Sequence, residues 1–101
     1  AIVRETLRLY PSAGFTREAV QPVVLTTSAG LEYEVCPGTE IFFFPNALHT
    51  DPALFKDPAE FRPERWLDAP ATLKQAWFPF SNGPRNCVGE RLALTELRVA
   101  L

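Results

Sequence analysis

The chain has 101 residues, 47% of them hydrophobic, ten prolines and a formal net charge of −2. That length supports one modest core, and the charge leaves no basic footprint for nucleic acid. No run approaches the roughly twenty apolar residues of a membrane-spanning helix, and no internal repeat or low-complexity stretch interrupts the chain.

The first ten residues, Ala1 to Tyr10, predict a helix with Ile2, Val3, Leu7 and Tyr10 as its apolar stripe and Pro11 as its stop. Glu5 and Arg8 lie three apart on one face, a pair worth only about 0.2–0.5 kcal/mol on an exposed helix and silent about function. Phe15 to Val20 is short and mixed, and Arg17 within it reads first as a surface charge. Val23-Val24-Leu25 is a β-branched run. Ala29-Gly30 then offers a hairpin turn into Leu31 to Val35, which alternates apolar and polar. Cys36 precedes a Pro37-Gly38 turn, after which Ile41 to Phe44 predicts an apolar strand buried on both faces. Asp51-Pro52 has the form of an N-cap followed by a first-turn proline, and Asp57-Pro58 repeats it. His49, just before the first of these, reads as a structural polar residue and not as a catalyst.

The chemistry concentrates near residue 87. Phe80-Ser81-Asn82-Gly83-Pro84-Arg85-Asn86-Cys87-Val88-Gly89 is a glycine-punctuated loop that feeds an amphipathic helix. A thiol there should have backbone N–H groups and a helix N-terminus nearby, which favour the metal-binding thiolate. Gly83 and Gly89 clear side chains from the approach of a flat ligand, and Arg85 can clamp a carboxylate with two parallel hydrogen bonds. A thiolate, a close-approach surface and an anion clamp describe one end of a haem pocket. In the helix that follows, Gly89, Ala93, Leu97 and Ala100 fall on one face. A zinc site built from Cys36, His49 and Cys87 would lack a fourth ligand and any C-x-x-C pair. The two cysteines make no disulfide framework either, and point to reducing surroundings.

Phe-x-x-Gly-x-Arg-x-Cys-x-Gly, filled by Phe80, Gly83, Arg85, Cys87 and Gly89, resembles the haem-binding loop of the cytochrome P-450 family of haem-thiolate monooxygenases. Ala93 and Glu96 match that family's Ala-x-x-Glu continuation. Glu5 and Arg8, followed by Leu9-Tyr10-Pro11, are similar to its Glu-x-x-Arg helix. Phe61-Arg62-Pro63-Glu64-Arg65-Trp66 is similar to its Pro-Glu-Arg-Phe meander, with tryptophan for phenylalanine. The resemblance implies a mainly α fold with small β-sheets (α+β). Its order is helix, small strands, meander, cysteine loop and helix, the C-terminal part of the family fold. Residues 1–101 would then be a partial domain of a longer protein.

The same resemblance assigns roles. Cys87 would be the axial ligand of haem b, Arg85 and Arg17 would reach its propionates, and Phe80 would pack by the thiolate. Gly83, Gly89 and Ala93 would border the macrocycle. Glu5, Arg8 and Arg65 would form a structural lock in which a carboxylate between two guanidiniums tolerates burial. Arg62 is given no role by the resemblance and reads as a solvated surface charge. No catalytic residue beyond the haem ligand is expected here, since the oxygen-activating helix and most of the substrate pocket lie outside this sequence, although Ala13 to Thr16 would border substrate. The parent would be a monooxygenase acting on a small hydrophobic organic substrate with molecular oxygen and an NADPH-dependent reductase. Alternatives are a haem-thiolate isomerase or dehydratase of the same fold, which the unaltered cysteine loop disfavours, and a truncated, non-catalytic product. Arg85 (many bacterial relatives carry histidine there) and the Pro-Glu-Arg-Trp wording imply a eukaryotic branch. Such a protein would be held at the endoplasmic-reticulum membrane by an anchor outside this chain.

Overall fold

Proline and glycine divide this chain into short elements, and the computed structural model describes all 101 residues. The backbone groups into two units, Gly14–Phe43 and a second made of Ala1–Ala13 with Phe44–Leu101. The fold is α+β, helices with small antiparallel sheets, as the sequence predicts.

The first unit is built from two β-ribbons. Strand β1 (Phe15–Glu18) pairs with β4 (Glu40–Phe43), placing Phe15 opposite Phe43 and Glu18 opposite Glu40. Strands β2 (Val23–Thr26) and β3 (Glu32–Val35) form the expected hairpin, with Val23 opposite Val35. Its turn is closed by Thr27 and Leu31 and needs Gly30 at φ +77°, a conformation that costs glycine nothing. The β4 expectation fails. Phe42 is 59% exposed and Phe43 40%. A continuous apolar run signals a doubly buried strand only where layers cover both faces, and this ribbon has two strands and no second layer within its unit.

In the second unit, α1 (Ile2–Leu9) ends where Tyr10 leaves helical geometry, one residue before Pro11. Its buried residues are Glu5, Leu7 and Arg8, whereas Ile2 and Tyr10 are exposed. The face it buries therefore joins the charged pair to Leu7 and leaves both ends of the apolar stripe outside. Helix α2 (Pro45–His49) starts on its own proline, six residues ahead of the cap predicted at Asp51. Asp51 caps as predicted, but only a single turn, its Oδ1 accepting from the Ala53 N–H at 2.8 Å and its carbonyl from the Phe55 N–H at 2.8 Å. Asp57 starts no helix either, since it sits at φ +49° and takes the Arg62 guanidinium on its carboxylate. One residue cannot hold a left-handed turn and open a helix.

A 3-10 turn over Pro63–Trp66 and a short α3 (Ala71–Gln75) carry the meander. A second 3-10 turn, Gly83–Arg85, leads into α4 (Glu90–Ala100). The core lies under the meander. Phe55, Trp66, Ala69 and Ala76 are buried together, with Leu48, Leu73 and Trp77 packed against them. The Trp66 and Trp77 rings meet edge to face, 6.0 Å between centroids, an arrangement favoured by the aromatic quadrupole.

Candidate functional site

Helical spacing places Glu5 and Arg8 on one face of α1, and the meander closes over them. Both are fully buried. Arg8 donates from Nε to Glu5 Oε2 at 3.0 Å and from Nη2 to Oε1 at 2.9 Å, a parallel two-bond pair. Its remaining N–H groups go to the carbonyls of His49, Pro58 and Glu60. Arg65 reaches the same carboxylate, Nε to Oε1 at 3.0 Å, and spreads its other donors over the carbonyls of Lys56, Asp57 and Glu60. The two guanidiniums exceed one carboxylate in charge, and these carbonyl dipoles take up the excess. A buried ion cluster survives only if its donors and acceptors are satisfied in this way.

Sequence reasoning missed two further donors to Glu5. The backbone N–H of Arg62 binds Oε1 at 2.9 Å, and the indole N–H of Trp66 binds Oε2 at 2.8 Å. Trp66 carried a usable signal, because a buried indole N–H needs an acceptor. Arg62 carried none, since its side chain is exposed and only its backbone takes part. Burial, the largest single influence, pushes the Glu5 carboxyl upward. The hydrogen bonds from Arg8, Arg62 and Trp66, with the charge of Arg8, outweigh it and bring the group down to about 2.

The cysteine loop is built from backbone turns. Ser81 and Gly83 both take positive φ, +67° and +76°, and the Asn82 side chain accepts from the Gly83 N–H at 2.7 Å. The Cys87 N–H donates to the carbonyl of half-buried Phe80 at 2.8 Å, closing the loop on itself. No N–H completes a hydrogen bond to Cys87 Sγ, contrary to the sequence-based expectation. The Cys87 amide is spent on Phe80, and α4 begins three residues later. Both cysteines are free and exposed, and no cluster of His, Cys, Asp and Glu could hold a bare metal ion.

The donor set nevertheless fits a haem edge. Arg85 is exposed and makes no ion pair, leaving its guanidinium available to a carboxylate. A Cβ at Gly89 would lie 3.7 Å from Cys87 Sγ, so the missing side chain clears the ground beside the sulfur. A Cβ at Gly83 would meet nothing, and glycine is needed there for the positive φ. Ala93 lies one helical turn past Gly89, its N–H donating to the Gly89 carbonyl at 2.9 Å. With Leu97 and Ala100 it lines an open groove of about 410 Å³ shared with Leu7, Tyr10 and Phe80. In the other unit, Arg17 on β1 donates to the Thr16 carbonyl at 2.7 Å and lies over the Phe15 ring.

The family model for cytochrome P450 matches residues 1–101. The chain belongs to the cytochrome P450 family. It is 42% identical over 103 residues to cytochrome P450 4V2 of Homo sapiens, covering 99% of this chain and 19% of that protein. It is 40% identical over 105 residues to the cytochrome P450 monooxygenase ORF9 of Penicillium roqueforti, covering 100% of this chain and 19% of that one. Among solved structures, a cytochrome P450DA mutant heme domain superposes with a TM-score of 0.76 at 31% identity, over 97% of this chain and 21% of that chain. The chain thus spans about a fifth of the length of the relatives it matches. In this P450 sequence the cysteine loop and the buried ion cluster both belong to the unit that holds the aromatic core.

Proposed function

We propose that residues 1–101 are the C-terminal portion of a P450 monooxygenase domain and supply the thiolate side of its haem site. The observation that carries this is the pairing of an exposed Cys87 sulfur with the side-chain-free Gly89 beside it and the unpaired Arg85 on the same loop. Cys87 would ligate the iron of haem b, and Arg85 would bind a propionate with its planar fork. Gly83 and Gly89 would admit the ring edge, and Phe80 would hold the loop through its bond to the Cys87 amide. Arg17, now bonded to its own strand, is the proposed second propionate partner. A haem held by a thiolate supplies the chemistry for placing one atom of molecular oxygen into an organic substrate.

Glu5, Arg8 and Arg65 have a structural role in this scheme, since each side chain is consumed by protein partners. A small hydrophobic organic molecule is the proposed substrate class, with an NADPH-dependent reductase as electron donor and the endoplasmic-reticulum membrane as location. The relatives from mammals and fungi support a eukaryotic setting.

The test is the absorption spectrum of the ferrous–carbon monoxide complex of the full-length protein. The expected result is a strongly red-shifted Soret band that disappears in Cys87→Ser. Haem-containing protein without that band would remove Cys87 as the working ligand and the monooxygenase reading with it.

A further inference from the structure

His49 ends α2 fully buried, and its two ring nitrogens have opposite duties. The Phe78 N–H donates to Nε2 at 3.1 Å, so Nε2 must carry the lone pair. The ring proton is then on Nδ1, which faces the Arg8 carbonyl at 3.3 Å. Arg8 returns the contact, donating from Nη1 to the His49 carbonyl at 2.8 Å. The ring also meets Phe78 and Phe55 edge-on, with centroids 5.4 and 6.3 Å away.

These bonds lead to the sulfur. Phe78 precedes Phe80 by two residues, and its carbonyl accepts from the Ser81 N–H at 3.1 Å. The Phe80 carbonyl accepts from the Cys87 N–H at 2.8 Å. The Phe78 amide is thus the point at which the cysteine loop leaves the core, and a side chain anchored on the buried ion cluster holds it. Space-filling alone would use neither nitrogen.

We propose that His49 is a positioning residue for Cys87, its Nε2 lone pair fixing the Phe78 amide and so the departure of the cysteine loop. The proposal rests on Cys87 as the haem ligand. Two variants separate the ring's two contacts. His49→Gln puts an oxygen near the place of Nε2, whereas His49→Asn reaches only the place of Nδ1. Both would be made in the full-length, haem-loaded protein, with two readouts, amide hydrogen exchange at Phe78 and the ferrous–carbon monoxide Soret band.

His49→Gln should stay within about twofold of wild-type exchange and keep the red-shifted band. His49→Asn should exchange about tenfold faster at Phe78, the usual effect of one lost hydrogen bond, and should move part of the band to its unshifted position. Matching spectra in the two variants overturn the proposal, as does wild-type exchange in His49→Asn. Failure of both to fold also overturns it, because the imidazole would then serve the core and not the amide. Failure of His49→Asn alone supports it, and failure of His49→Gln alone overturns it. A wild-type protein lacking the red-shifted band sinks the thiolate reading, while exchange at Phe78 judges the anchor separately.

Discussion

The Trp66 indole donates to Glu5 Oε2 at 2.8 Å, with both residues buried. A phenyl ring at position 66 would fill most of the same space and offer no donor. Hydrogen bonds to charged groups contribute about 1.5–3 kcal/mol, so Trp66→Phe should destabilise the full-length protein by that order. Urea denaturation followed by circular dichroism measures it. A loss below about 0.5 kcal/mol, the level of an idle surface change, would show that the indole N–H adds nothing to the cluster.

How far the sequence reveals this cluster depends on which atoms do the work. Glu5, Arg8 and Arg65 are legible as residue types at recognisable positions, and the structure brings their side chains together. The Arg62 contribution is invisible because a backbone N–H has no residue-specific signature. Asp51 is legible as a cap, and its side chain and carbonyl do start a turn, but nothing in its own sequence says that the turn stops after Phe55. The β4 misreading is different in kind. Ile41-Phe42-Phe43-Phe44 is strongly apolar, but burial depends on what packs over a strand, which the strand's own sequence does not encode. Cys87 is legible through its flanking pattern, whereas the absence of an N–H donor at its sulfur follows from turn geometry that Gly83 and Gly89 only hint at.

Removing the negative charge at the centre of the cluster should be far more harmful than trimming its edge. Glu5→Gln keeps the shape but leaves Arg8 as a buried cation without a counter-charge, a change that costs about 3–5 kcal/mol. Arg65→Lys keeps the charge and loses the fork that spans Glu5 and three carbonyls. About 1–3 kcal/mol is expected there. Yield of folded, haem-loaded full-length protein should fall sharply for Glu5→Gln and modestly for Arg65→Lys. A Glu5→Gln protein with normal folding and haem content but no turnover would contradict the structural role.

Acid should weaken the fold in two stages. Burial, assisted by the Arg8 charge and opposed by the bond to the Arg8 backbone, holds His49 below its ordinary value of 6.5. The folded state therefore binds fewer protons at this site than the unfolded chain, and stability falls as pH drops below about 6.5. Glu5, lowered from 4.5 to about 2, adds a second loss that begins near pH 4.5 and runs down towards pH 2. Its full extent is about 3 kcal/mol, at 1.36 kcal/mol per pH unit. Denaturant midpoints measured across this range should show both losses. His49→Gln, which cannot titrate, should remove the first and leave the second. A flat profile between pH 7 and 5 in the wild-type protein would mean that His49 takes up its proton without cost.

The two glycines of the cysteine loop should respond differently to alanine. Gly83 sits at φ +76°, where any Cβ is strained, although no neighbouring atom would touch it. Gly83→Ala should therefore cost about 1–2 kcal/mol through backbone conformation alone. Gly89 has φ −87°, an ordinary value, and a Cβ there would make normal contact with Cys87 Sγ at 3.7 Å. Gly89→Ala should leave folding stability within about 0.5 kcal/mol, yet place a methyl group beside the sulfur where the proposed haem edge would approach. Thermal unfolding and haem retention in the full-length protein separate the two effects, with Gly83→Ala lowering the first and Gly89→Ala the second. Haem retention unchanged in Gly89→Ala would show that the ring does not approach the sulfur from the side this glycine leaves clear.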